Sequence, residues 1–129
     1  MKLQTKFGGI IMKIFTVAIL GCGNRGSVYA KLMAEKEDCF KIVSFCDINP
    51  IQLENINSLY HLDENALFTD TDEFLKEKRA DVLVISTWDT DHVKQCLAAM
   101  DLGYDILLEK PISDSEAEIK LLTDKQKET

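Results

Sequence analysis

Residues 14–20 form an apolar, β-branched run (Ile14-Phe15-Thr16-Val17-Ala18-Ile19-Leu20) that passes directly into Gly21-Cys22-Gly23-Asn24-Arg25-Gly26. A strand ending in G-x-G-x-x-G commits a chain to a narrow set of folds. The first glycine permits a tight turn, the second lets backbone approach a pyrophosphate, and the third lets the following helix pack close to the strand. The N–H groups at the start of that helix, with the positive end of its dipole, favour an anion. Asp47 stands 21 positions beyond Gly26, at the end of the next apolar run. Such folds place a ribose-binding acid there.

The rest of the chain alternates in the same manner. A helix is expected over Arg25–Glu37, with Val28/Leu32 and Tyr29/Met33 at i,i+4 spacing. Lys41–Cys46 reads as the second strand. Pro50 suits the first turn of the next helix, whose apolar face is Leu53, Ile56 and Tyr60. Ala66–Phe68 reads as a short third strand, and Asp70 with Glu73 opens a helix that contributes Phe74 and Leu75. Val82–Ser86 is the fourth strand. Val93, Cys96, Leu97 and Met100 fall at i, i+3, i+4, i+7, an amphipathic helix stopped by Gly103. Tyr104–Leu108 is the fifth strand. Ser113 with Glu116 opens a last helix through Leu121 and Leu122, and the charged end, Thr123–Thr129, is expected to fray.

Continuous apolar strands alternating with helices predict an α/β fold, a Rossmann-type doubly wound parallel sheet of about five strands with the first strand central. This dinucleotide-binding domain is expected over residues 14–129, with residues 1–13 as an N-terminal extension and Met12 as an alternative start.

Charge and cysteine usage exclude several function classes. Fifteen basic and 22 acidic side chains give a net charge of −7. No basic stripe is present to neutralise phosphates, which argues against nucleic acid as a partner. The 46% hydrophobic and 29% charged residues suit one soluble domain with a real core. Cys22, Cys39, Cys46 and Cys96 form no C-x-x-C pair and there are two histidines, so a structural zinc site is not expected. Cys46 and Cys96 read as small buried hydrophobes in a reducing compartment. No signal peptide is evident and no segment is long enough to span a membrane. A cytoplasmic protein is therefore expected.

In doubly wound sheets, ligands bind outside the carboxyl ends of the strands. The glycine turn, Asp47, Ser86–Asp89, His92 and Glu109-Lys110-Pro111 all fall there. Asp47 can accept hydrogen bonds from ribose hydroxyls. No arginine or lysine follows nearby to meet a 2′-phosphate, which favours NAD over NADP. Asp47 also suits the start of the Asp-Ile-Asn-Pro bend, and the two roles are compatible. Arg25 reads either as facing the pyrophosphate or as a solvated first-turn side chain. Asp89 and Thr90 suit helix capping, and His92 suits a buried neutral imidazole. Trp88 suits packing or the lining of a ring slot. Lys110 follows an apolar strand directly, and Pro111 holds its backbone extended. A lysine at a cofactor cleft can have its pKa lowered by desolvation and move a proton, although most lysines are simply solvated.

Together these residues resemble the N-terminal nucleotide-binding domain of the glucose-fructose oxidoreductase / inositol dehydrogenase (Gfo/Idh/MocA) family, from about Phe15 to about Leu122. Thr87–His92 is similar to the family's Thr-Pro-Asn-x-x-His segment, with Trp88 and Asp89 departing from its Pro and Asn. Leu102–Lys110 resembles its Leu-Gly-Lys-His-Val-Leu-x-Glu-Lys passage, and Glu109-Lys110-Pro111 matches its Glu-Lys-Pro signature. The resemblance implies that Gly21, Cys22, Gly23, Asn24, Arg25 and Gly26 hold the pyrophosphate and Asp47 the ribose. It implies that Thr87, Trp88 and His92 line the cofactor cleft and that Glu109 lies near the nicotinamide ribose. Lys110 would be the catalytic lysine, beside the substrate hydroxyl that loses its proton as hydride leaves for nicotinamide C4.

The implied activity is that of an NAD-dependent oxidoreductase acting on a small molecule, a sugar, polyol or related hydroxy compound. Family members are much longer and carry a second domain that supplies most of the substrate pocket. The chain, lacking that domain, is expected to be part of a longer protein, to bind cofactor but turn over little alone, and to form homo-oligomers through surfaces left uncovered. The alternatives are a non-catalytic NAD-binding or redox-sensing module, an NAD-dependent glycosidase and a methyltransferase. The Glu-Lys-Pro segment speaks against the last.

Overall fold

Strands that are apolar on both sides need cover on both faces, and alternating helices supply it. The computed structural model describes residues 3–7, 10–87, 92–108 and 116–128. The chain runs β1 (Leu3–Phe7), β2 (Ile10–Leu20), α1 (Asn24–Ala34), β3 (Phe40–Cys46) and α2 (Pro50–Tyr60). A 3-10 turn (Glu64–Ala66), β4 (Leu67–Phe68), α3 (Thr71–Phe74), β5 (Val82–Ile85), α4 (His92–Leu102), β6 (Asp105–Leu108) and α5 (Glu116–Glu128) follow. The strand order is β4-β3-β2-β5-β6, with β2 in the middle and each of these pairings parallel. This is the doubly wound arrangement that the strand–helix alternation predicts.

Side chains alternate across the sheet and build one core on each face. Ala18, Leu20, Leu83 and Ile85 pack with Phe74 of α3 and with Val93, Cys96 and Ala99 of α4. Val17, Ile19 and Val84 pack on the opposite face with Ala30 of α1 and with Leu53 and Ile56 of α2. At the amino ends of the strands, the Asp81 carboxylate accepts the Thr16 N–H at 3.0 Å and the Thr16 hydroxyl at 3.2 Å. The Asp81 N–H returns to Thr16 Oγ1 at 2.9 Å. β5 is thereby pinned to β2 at the end remote from the glycine turn.

Several boundaries differ from expectation. β2 starts at Ile10 rather than Ile14, because its leading half pairs antiparallel with β1, from Leu3 opposite Ile14 to Phe7 opposite Ile10. α1 ends at Ala34, short of Glu37, with the Glu35 N–H bonded to Lys31 O. Of its two apolar pairs, Tyr29 and Met33 pack on the core, while Val28 and Leu32 are 46% and 52% exposed. A helix lying on a sheet buries one stripe, and the neighbouring stripe stays outside.

Ala66 belongs to the 3-10 turn rather than to β4. Tyr104 precedes β6 and is buried, its hydroxyl accepting the Arg79 N–H at 2.8 Å. α5 stays helical through Glu128 where fraying is expected, because it lies against α4 and Lys125 pairs with Asp101. Ser113, the expected cap of α5, lies outside the described residues. Asp70 caps α3 as expected, and Gly103, at φ +86°, ends α4 in the left-handed region that favours glycine. Among the described residues no helix is long and apolar enough to cross a membrane.

Candidate functional site

The three glycines of the turn are glycine for different reasons. Gly21 has φ +94°, and a Cβ there would lie 2.7 Å from the Ser86 carbonyl carbon and oxygen. At Gly26 a Cβ would lie 1.9 Å from Gly21 O, so helix α1 touches the turn through bare backbone. Gly23 is under no such constraint. Its φ is −77°, and among the described residues the nearest atom to a Cβ would be Gln52 Oε1 at 3.5 Å, an ordinary contact. Packing among the described residues does not require glycine at 23, and the missing side chain leaves room for close approach of a ligand. Gly23 is the N-cap of α1, where a side-chain oxygen usually satisfies the first N–H groups, and no acid occupies the first turn. Asn24 and Arg25 are exposed in that turn. This arrangement fits a phosphate group.

Asp47 performs the bend-forming role directly. One carboxylate oxygen accepts the Cys22 N–H at 2.8 Å and the other accepts the Asn49 N–H at 2.8 Å. Asn49 in turn caps α2 by accepting the Ile51 N–H at 3.0 Å. The carboxylate thus braces the glycine turn against the start of α2. Each oxygen retains capacity for a second hydrogen bond.

On the other side of the turn, Ser86 donates from Oγ to Gly21 O at 2.7 Å. Thr87 follows, half-buried, and its hydroxyl donates to the Gln95 amide oxygen. His92 is wholly buried, with Nε2 2.8 Å from Thr87 O. The imidazole is enclosed in the core behind Thr87, the buried position that suits its place in the first turn of α4. Trp88, Asp89, Thr90, Glu109, Lys110 and Pro111 lie outside the described residues.

Sequence reasoning placed Ser86 at the strand ends without giving it a role, and it passed over Gln95. The available signal was a small polar residue directly after an apolar strand and a polar residue set within the buried stripe of α4.

Thiol chemistry is suppressed here. Cys22 is buried, and burial, then the neighbouring Asp47 carboxylate, push its thiol far above the ordinary range. Burial pushes the Cys46 thiol up to about 12. Both stay protonated and poorly nucleophilic. Among the described residues no group of His, Cys, Asp and Glu side chains is arranged to hold a metal ion. A hollow of about 440 Å³ runs along α2 past Leu53, Asn57, His61 and Leu67. Its Asn57 amide is engaged with both backbone groups of Leu62, so it offers structure rather than chemistry.

A central parallel strand ending in this turn, with an uncapped helix N-terminus and an acid at the end of the adjacent strand, defines a dinucleotide-binding domain of the Rossmann type. Comparison with known proteins carries this further. Residues 15–129 match the Gfo/Idh/MocA family, described as an oxidoreductase family with an NAD-binding Rossmann fold, and the chain belongs to that family. It is 24% identical over 97 residues to an inositol 2-dehydrogenase of Burkholderia ambifaria, covering 75% of this chain and 28% of that protein. Its fold is similar to the WlbA dehydrogenase of Bordetella pertussis, solved with NADH and UDP-GlcNAcA, at TM-score 0.80 and 23% identity over 89% of this chain and 34% of that one. The scyllo-inositol dehydrogenase of Lactobacillus casei, solved with NAD(H) and scyllo-inositol, gives TM-score 0.80 and 22% identity over 90% of this chain and 34% of that one. The chain therefore spans about a third of the length of these relatives.

The differing demands on the glycines are separable by urea unfolding. Gly26→Ala is expected to lower stability by about 3 kcal/mol through backbone overlap with Gly21. Gly23→Ala is expected to cost no more than about 1 kcal/mol, the replacement of a favourable N-cap residue by an unfavourable one. Equal losses at both positions would show that Gly23 is also a packing glycine.

Proposed function

We propose that this chain is the cofactor-binding part of an NAD-dependent oxidoreductase that moves a hydride between the nicotinamide and a sugar, polyol or related hydroxy compound. The observation that carries this reading is Gly23, open to a ligand above the α1 N-terminus while the glycines either side of it are closed by protein. Residues Gly21–Gly26, with the backbone of Cys22 and Asn24 and the charge of Arg25, would hold the pyrophosphate. Asp47 would accept the adenosine ribose hydroxyls on its remaining lone pairs, and a 2′-phosphate there would meet a carboxylate, which disfavours NADP. Thr87, Trp88 and Glu109 would face the nicotinamide half, with His92 supporting Thr87 from the core. When bound, the nicotinamide supplies the hydride acceptor or donor. Lys110 would take or return the proton of the substrate hydroxyl.

The class of substrate is supported by the inositol dehydrogenases among the relatives. Most of those relatives' length has no counterpart in these residues, so we expect the 129 residues alone to turn over little. Four unpaired cysteines fit a reducing, cytoplasmic setting. Val28 and Leu32 on α1 and Leu107 on β6 are exposed apolar side chains, which supports self-association of the isolated chain.

Calorimetric titration tests the core of this reading. NAD is expected to bind, NADP more weakly and S-adenosylmethionine not at all, and Gly23→Ala should weaken NAD at least about tenfold while the domain stays folded. A folded parent chain that ignores NAD would overturn the assignment. For the whole protein, Lys110→Ala should keep NAD affinity and lose hydride transfer to a polyol panel. Undiminished turnover would remove Lys110 from the mechanism. Sedimentation at high concentration should show dimers or larger species, and a clean monomer would refute self-association.

A further inference from the structure

Helix α4 presents an apolar stripe of Val93, Cys96 and Ala99 to the sheet, interrupted by two buried polar side chains. His92 is fully buried and Gln95 is 7% exposed. Buried polar groups are costly unless paired, so a helix that keeps two of them at one end is held to a specific arrangement. Both converge on the same residue. The His92 ring meets the Thr87 carbonyl at 2.8 Å, and Gln95 accepts the Thr87 hydroxyl. One contact fixes the main-chain path of Thr87 and the other fixes its side-chain rotamer. The preceding residue, Ser86, is tied separately to Gly21 O.

Topology shows which part of a dinucleotide Thr87 faces. The glycine turn ends the central strand β2. Asp47 ends β3 on one side, and Thr87 follows β5 on the other. With the pyrophosphate at the turn and one ribose at Asp47, the second nucleoside must extend across β5. We propose that Gln95 and His92 are positioning residues for the nicotinamide half of the cofactor, acting through Thr87, while the adenosine half is held independently by the turn and Asp47. This rests on the NAD reading above.

The two halves are separable by ligand. NAD spans both, whereas ADP carries adenosine and pyrophosphate without the nicotinamide nucleoside. Gln95→Leu in the 129-residue chain is expected to weaken NAD about tenfold, the loss of one well-placed hydrogen-bonded group, and ADP less than about twofold. Thr87→Val should give a similar selective loss. Adding Gln95→Leu to Thr87→Val should then change NAD affinity little further, because the two residues act as one unit.

Equal weakening of NAD and ADP, or fully additive losses, would assign Gln95 a general structural role and overturn the proposal. Should Gln95→Leu fail to fold, Thr87→Val decides, and an unchanged NAD-to-ADP ratio there overturns it as well. A parent chain that binds neither NAD nor ADP would instead refute the underlying cofactor reading.

Discussion

The contact between Gly26 and the carbonyl of Gly21 sets the geometry on which the rest depends. With hydrogen in place of a side chain, α1 starts directly against the end of β2, at a distance no Cβ could tolerate. The ends of the two flanking strands then close on the same turn. Cys46 O at the end of β3 accepts the Gly21 N–H at 2.8 Å, Asp47 holds Cys22, and Ser86 beyond β5 donates to Gly21 O. The strand order brings these ends together, and Thr16–Asp81 fixes β5 against β2 at the opposite end. The site is thus a consequence of sheet register more than of any one loop.

That division explains what could be read in the chain beforehand. The glycine turn, the strands apolar on both faces and the Asp70 cap are local signals, complete within a few residues. The spacing of Asp47 was equally legible, but its bond to Cys22 spans 25 positions and leaves no mark in either segment. Ser86 is 65 positions from the carbonyl it holds, and its place after a strand does not name that partner. α1 carries two adjacent apolar stripes, and only packing on the sheet selects Tyr29 and Met33 over Val28 and Leu32. The end of α5 misleads for the same reason. A charged segment reads as frayed until its lysine finds Asp101 on another helix.

Two thiols beside the turn sharpen its chemical character. A cysteine near a helix N-terminus is where a lowered pKa and a reactive thiolate would be sought. Here the Cys22 side chain turns inward, near the carbonyls of Ile19 and Cys46, and Asp47 adds a negative charge close by. Burial and that charge outweigh the helix dipole, so the dipole remains available to an external anion. With both thiols held protonated, neither cysteine beside the turn supplies proton-handling chemistry.

The second glycine therefore carries more information than the motif as a whole. Gly21 and Gly26 would be needed in any protein that turned this sharply from strand to helix, with or without a ligand. At position 23 the backbone is extended and a side chain would fit, and an N-cap serine or aspartate there would gain a few tenths of a kcal/mol for the helix. A glycine at this position offers no side-chain oxygen to the first N–H groups of α1. With no acid in the first turn and Asp47 directed at Cys22 and Asn49, a bound phosphate is the partner these donors fit. An anion held there would return the small stability given up at Gly23 and would couple the order of this helix terminus to occupancy of the site.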